Sequence, residues 1–111
     1  MQELGALIRK GLESGVIEDH LSWGVTREPA GTTANVVGLA LIGKVGVVKA
    51  TELIEAAFTD FWEEEDLANK AILRELGISM EQVESLVTLH FSHTAAEIAD
   101  LLESGALLDL G

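Results

Sequence analysis

Apolar residues recur at Leu4, Leu7, Ile8 and Leu12, the spacing that lines one face of a 3.6-residue helix. Gly15 follows, where helices commonly close in the left-handed conformation, so the first helix is expected over residues 2–14. From 18 to 33 the periodicity lapses into a connection that holds the single proline, Pro29, together with Gly24 and Gly31. Trp23 is expected to pin this connection to the core, and His20 to sit in it as a surface or capping residue. The pattern then changes character. Val36, Val37, Leu39, Ala40, Leu41 and Ile42 are apolar on every side of a helix, which requires protein all around it. This predicts a central helix over 34–43, capped by Thr32 or Thr33. Ala34, Gly38, Ala40 and Gly43 let a second backbone come close, although each interior glycine costs about 1 kcal/mol relative to alanine. Val45 to Lys49 also reads as a short strand, which would pair with 21–27 in a hairpin.

Beyond Thr51 the helical period returns. Leu53, Ile54, Ala57, Phe58 and Phe61 form a wide apolar stripe ending near Trp62. A fourth helix is expected over 66–76, with acids in its first turn to match the helix dipole and Gly77 as its stop. Ser79 with Gln82 makes a capping box, and Ile78 with Val83 the hydrophobic staple around it. Thr94 with Glu97 repeats the box and opens a last helix through Ile98, Leu101 and Leu102, closed by Gly105. The expected fold is therefore mainly α: a compact bundle of five or six short helices around the apolar helix 34–43, with a β-hairpin near 21–27 and 45–49 as the variant. The length of 111 residues fits one domain spanning 1–111.

Charge divides the chain in two. The formal net charge is −12, yet residues 1–49 hold five acids and five bases. From residue 50 onward there are fourteen Asp or Glu against Lys70 and Arg74, and no base follows Arg74. Such a surface repels nucleic-acid phosphates and suits either solubility or a basic protein partner. The run Glu63, Glu64, Glu65 and Asp66 is the densest part and the expected interaction segment. Hydrophobic residues make up 48% of the chain, too many for a disordered tail and a surplus for so small an interior. A homodimer or higher oligomer is expected to cover the remainder. The chain has no cysteine, which removes disulfides, thiolate metal sites and cysteine nucleophiles. The opening Met-Gln-Glu-Leu-Gly has neither a basic region nor a long apolar one, so no membrane association and a cytoplasmic location are expected. The longest apolar run, 36–48, falls short of the roughly 20 residues that span a bilayer.

Several patterns bear on chemistry. Gly38 to Lys44 matches seven positions of a phosphate-binding loop, but Val45 stands where a hydroxyl would hold magnesium, and the loop interior is wholly apolar. A packed glycine-bearing helix accounts for it better. His90, His93 and Glu97 offer nitrogen and oxygen donors to a divalent metal. The capping box at Thr94 places a turn between the two histidines, so helix capping is the stronger reading. Glu63 to Asp66 lack the glycine and alternating spacing of an EF-hand loop. No nucleophile elbow of the Gly-x-Ser-x-Gly kind occurs, and carboxylate pairs such as Glu52 with Glu55, or Glu81 with Glu84, are those of ordinary helix surfaces. No catalytic residue and no cofactor are therefore assigned, and an enzyme is not expected.

Residues 66–90 resemble the helix-turn-helix of bacterial regulators, most closely at Ile72-Leu73-Arg74-Glu75-Leu76-Gly77-Ile78-Ser79 with Val83 and Leu86. The resemblance implies two short helices crossing steeply around Gly77. The helix that would read DNA, 79–91, carries Glu81 and Glu84 and no Lys or Arg, the wrong sign for phosphate contact. Separately, Ile8-Arg9-Lys10-Gly11 with Val37-Gly38-Leu39-Ala40-Leu41-Ile42-Gly43-Lys44, and the later Glu97-Ile98-Ala99-Asp100-Leu101, resemble small uncharacterised bacterial and phage proteins. That resemblance implies a bacterial or phage source and no activity. The leading expectation is a non-enzymatic protein–protein interaction or scaffold module with a basic partner. A helix-turn-helix regulator, a DNA-mimic protein, and a small-molecule or metal-binding domain are the alternatives.

Overall fold

A computed structural model of the chain describes residues 2–19, 25–28, 31–59 and 74–105. Helix α1 (Gln2–Glu13) is followed by the short strand β1 (Ile17–Glu18). Strands β2 (Val25–Glu28) and β3 (Gly31–Ala34) lead into α2 (Val36–Val45), and α3 (Val47–Thr59) follows at once. A helical turn at 74–76 precedes α4 (Met80–His90) and α5 (Ala95–Glu103). The bundle is mainly helical, as the periodicity predicts, with a small sheet at one end.

The sheet has the order β1-β3-β2. Strand β3 pairs in parallel with β1, Ile17 opposite Thr33 and Glu18 opposite Ala34, and antiparallel with β2, from Val25 opposite Ala34 to Glu28 opposite Gly31. This corrects the hairpin variant. A strand does lie within the connection, but its partner is 31–34, not 45–49. Val45 closes α2, and Val47 to Lys49 open α3. Gly46 explains the break. With φ 90° it leaves the helical region while its N–H still donates to the Ile42 carbonyl at 2.8 Å, so one apolar run becomes two helices.

The cap of α2 is also corrected. Thr32 and Thr33 lie in β3, and the cap is Asn35, whose side chain accepts a 2.8 Å bond from the Gly38 N–H. Asn35 is buried, so its side chain satisfies a donor that water does not reach. Asn35→Ala is expected to lower stability by about 1–2 kcal/mol, and Asn35→Asp to recover much of the loss. Chemical denaturation of the three proteins measures both changes.

Helix α2 is enclosed as expected. Val36, Leu39, Ala40, Leu41 and Ile42 join Leu4 and Ile8 of α1, Ala50 of α3, Leu86 of α4, and Ile98 and Leu102 of α5 in one core. The tightest contact is between α1 and α2. A Cβ on Gly11 would collide with the Leu39 carbonyl, and a Cβ on Gly43 with the Leu7 carbonyl. The two helices thus cross antiparallel with one glycine each against the other's backbone. Helix α1 is flanked on its other side by α5. There Gly5 abuts the Ala99 carbonyl, and Arg9 pairs with Asp100 and donates from Nε to Glu103 at 2.8 Å. Being half-exposed, that ion pair contributes little beside the apolar contact.

Both capping boxes form as the sequence predicts. Ser79 and Gln82 satisfy each other's backbone at the start of α4, and Thr94 and Glu97 do so at the start of α5. The staple residues Ile78 and Val83 pack on the core. Trp23, His20 and the first part of the expected helix 66–76, residues 66–73, lie outside the described residues, as do Phe61 and Trp62.

Candidate functional site

Three elements meet at the end of the bundle that holds the sheet. Strand β1 carries Glu18 and is followed by Asp19, α4 ends at His90, and α5 begins at Ala95. Capping fixes both helix ends. The Thr94 box starts α5, and the turn 91–94 between the helices is closed by N–H donations from Phe91 to Thr88 and from His93 to Leu89, at 3.2 and 2.9 Å. Strand β1 is fixed by its pairing with β3 and by the Asp19 N–H, which donates to the Ala34 carbonyl at 2.9 Å.

One carboxylate oxygen ties the three together. Glu18 Oε2 lies 2.7 Å from His90 Nε2 and accepts the Ala95 N–H at 2.9 Å. The His90 side chain is 2% exposed and that of Glu18 29%, so the contact is shielded on the imidazole side and wet on the carboxylate side. The acceptor also neutralises one of the N–H groups that α5 leaves unpaired at its start, where a negative charge is favoured.

Around this tie lies a cleft of about 330 Å³, lined by Glu18, Asp19, His90, Phe91, Ser92, His93, Thr94 and Glu97. The three metal candidates from the sequence, His90, His93 and Glu97, therefore share one cleft. They do not converge as ligands. Among the described residues no group of three His, Cys, Asp or Glu is arranged to hold a metal ion. His90 Nε2 is turned to Glu18, and His93 Nδ1 sits 2.9 Å from Ser92 Oγ and 3.3 Å from the Leu89 carbonyl. Glu97 accepts the Thr94 N–H at 3.0 Å. Of the two histidines expected to cap the end of α4, His93 lies beside the Leu89 carbonyl of its last turn, while His90 is held by Glu18 of a strand distant in the sequence.

The Thr94 backbone N–H, then its hydroxyl, then the charge of His93 hold the Glu97 carboxyl below its ordinary value of 4.5. A depressed carboxyl stabilises the fold above the ordinary glutamate range, and that contribution is lost as pH falls through the folded-state value. Thr94→Ala is thus expected to move the Glu97 midpoint upward toward the ordinary value in an NMR pH titration. Glu97→Gln, which keeps the box, is expected to remove this site's share of the acid sensitivity of unfolding.

The loop-like segment Gly38 to Lys44 is helical within α2, with Gly38 to Gly43 buried. Its glycine serves a helix crossing, not a phosphate. Of the segment that resembles a helix-turn-helix, residues 74–90 are described: a helical turn at 74–76, Gly77 at φ 68°, and α4. Glu81, Glu84 and Thr88 on α4 are exposed. The acidic run Glu63, Glu64, Glu65 and Asp66 lies outside the described residues. No described helix is long and apolar enough to cross a membrane. Comparison with protein-family models, curated proteins and solved structures gives no match to the chain. Glu18, Asp19, Phe91 and Ser92 are the cleft residues that the sequence did not single out. The only local hint was Glu18-Asp19 directly after the apolar pair Val16-Ile17.

Proposed function

We propose that this chain is a non-enzymatic acidic interaction module that engages a basic polypeptide. The observation that carries the reading is the charge division: fourteen acids against two bases after residue 49, with none of those bases beyond Arg74. Glu81 and Glu84 on α4, and Glu97 and Asp100 on α5, are all exposed, on helices whose starts are closed by capping boxes. Such a field raises the encounter rate with a cationic partner and weakens as salt is added.

The turn at Gly77 favours a second reading, a helix-turn-helix regulator, and one experiment separates the two. The chain is titrated into a labelled arginine-rich peptide and, separately, into mixed-sequence duplex DNA, both at low salt. The module reading expects salt-sensitive binding of the peptide and none of the duplex. Binding of the duplex with no binding of the peptide would overturn it, since phosphate contact needs the opposite charge. The run Glu63 to Asp66 belongs to the same proposal. Converting its four residues to Gln or Asn is expected to weaken peptide binding, and unchanged affinity would remove the run from the interface. Self-association is a further part of this reading, expected from the apolar surplus. Light scattering after size exclusion should return at least twice the monomer mass at micromolar concentration.

A further inference from the structure

We infer that two exposed faces of this chain, the elbow between α2 and α3 and the outer side of α4, dock on each other between copies. The inference rests on the self-association expected above and gives it a surface and a counterpart. Both faces leave apolar side chains in solvent. At the elbow, Gly46 with φ 90° turns the chain from α2 into α3. Val48, in the first turn of α3, is 70% exposed, the most of any described large apolar residue. On α4, Met80 is 38% and Phe91 63% exposed. At about 3.6 residues per turn, Met80, Glu84, Thr88 and Phe91 fall on one side of that helix, opposite the buried Leu86. Met80 and Phe91 sit at the two ends of this side, roughly 16 Å apart along the axis.

Charge decides how the faces pair. Lys44 and Lys49 are exposed on either side of the elbow, and the sequence from 44 to 49 holds no acid. Helix α4 offers the reverse sign: Glu81 and Glu84 are exposed between Met80 and Phe91, and the helix carries no Lys or Arg. Two copies, each with a formal charge of −12, repel each other on average. Contact of α4 with α4 adds to that repulsion, whereas Lys44 and Lys49 set against Glu81 and Glu84 offset it and fix the orientation. Glu52, exposed on the same side of α3 as Val48, works against the match. Burial of Val48 against Met80 and Phe91 supplies the apolar part of the contact. Because the two faces differ, each copy engages its neighbour through unlike surfaces.

The test follows the full chain by sedimentation velocity over a concentration series. The parent is expected to self-associate, and less so as sodium chloride is added. Lys49→Glu and Glu84→Lys are each expected to lower association about tenfold, with thermal melts unchanged because both side chains are exposed. Net charge alone predicts the opposite for Glu84→Lys, which reduces the overall repulsion between copies. An equimolar mixture of the two variants is expected to recover association, since the reversed elbow of one then meets the reversed α4 of the other. Val48→Ser should weaken association about fivefold, and Glu52→Gln should tighten it. If the parent associates but neither charge reversal changes it, these faces are overturned while self-association stands. Two variants that remain monomeric when mixed would overturn direct contact between the faces. Loss of association on neutralising Glu63 to Asp66, with none in Glu84→Lys, would overturn α4 as the counterpart in favour of that run. A parent that is monomeric throughout would overturn both this inference and the self-association reading.

Discussion

Gly43→Val and Gly11→Val are each expected to abolish cooperative unfolding of this chain, whereas Gly15→Asn leaves it nearly intact. The reason is what each side chain would meet. At Gly11 and Gly43 the first added carbon falls on a main-chain carbonyl of the opposing helix, Leu39 and Leu7 respectively. A backbone carbonyl cannot rotate aside as a flexible side chain can, so α1 and α2 must separate along their whole contact. Even alanine introduces this clash. Overpacking costs of about 1–3 kcal/mol or more outweigh the roughly 1 kcal/mol that alanine gains over glycine as a helix former. Valine adds two methyl groups to the same collision, and the total rivals the roughly 5–15 kcal/mol by which whole domains are stable. At Gly15, by contrast, nothing lies within 4 Å of the added carbon, and asparagine tolerates the left-handed backbone there. Thermal melts followed by circular dichroism report all three outcomes. If Gly43→Ala melts at or above the parent temperature, the close crossing is wrong.

The second large effect is expected at Glu18. Its Oε2 serves His90 and the Ala95 N–H together, so Glu18→Ala strands two donors, one of them on an imidazole that is 2% exposed. Hydrogen bonds to charged groups are worth about 1.5–3 kcal/mol each, and a buried donor left without its acceptor carries its desolvation cost. Solvent on the carboxylate side moderates this, and the expected loss is about 2–3 kcal/mol. For a domain of this length that corresponds to roughly 8–20 °C in the melting temperature. Glu18→Gln keeps an oxygen acceptor and should lose less than half as much. Disorder should also be local. Amide signals of 91–97 and of β1, which is otherwise joined to β3 by strand pairing, are expected to shift most. An equal loss in Glu18→Ala and Glu18→Gln would show that charge, not the acceptor, holds the corner.

The parts of this fold that were readable in the sequence are those written in local chemistry. The capping boxes at Ser79 and Thr94 need only residues three apart, and the stripe of α1 needs only four positions. Enclosure of 36–42 follows from its lack of any polar face. The errors occur where a distant partner decides. Thr32 and Thr33 are good caps in isolation, but β1 and β2 recruit them into a sheet, and Asn35 takes the cap. Val45 to Lys49 has the composition of a strand, yet no strand pairs with it, and Gly46 lets the helical run resume. The role of Gly43 was half legible, as a small residue allowing close approach. That Gly11 is its counterpart depends on the antiparallel register of α1 and α2, which no local pattern encodes. The candidate site was least legible of all. His90, His93 and Glu97 were visible as spacing, but the residue that organises them, Glu18, is 72 positions from His90 in the chain.

The arrangement on which every functional statement depends is α2 enclosed by α1, α3, α4 and β3, with α5 packed on α1 and α4 and the cleft built outward from it. Native-state amide hydrogen exchange measures this most directly, because a helix enclosed on all sides opens only when the whole domain unfolds. The amides of Leu39 to Gly43 are predicted to be the slowest in the chain, with opening free energies equal to the global stability from denaturant unfolding. Exchange of these amides at rates typical of exposed helices, faster than the amides of α5, would contradict it.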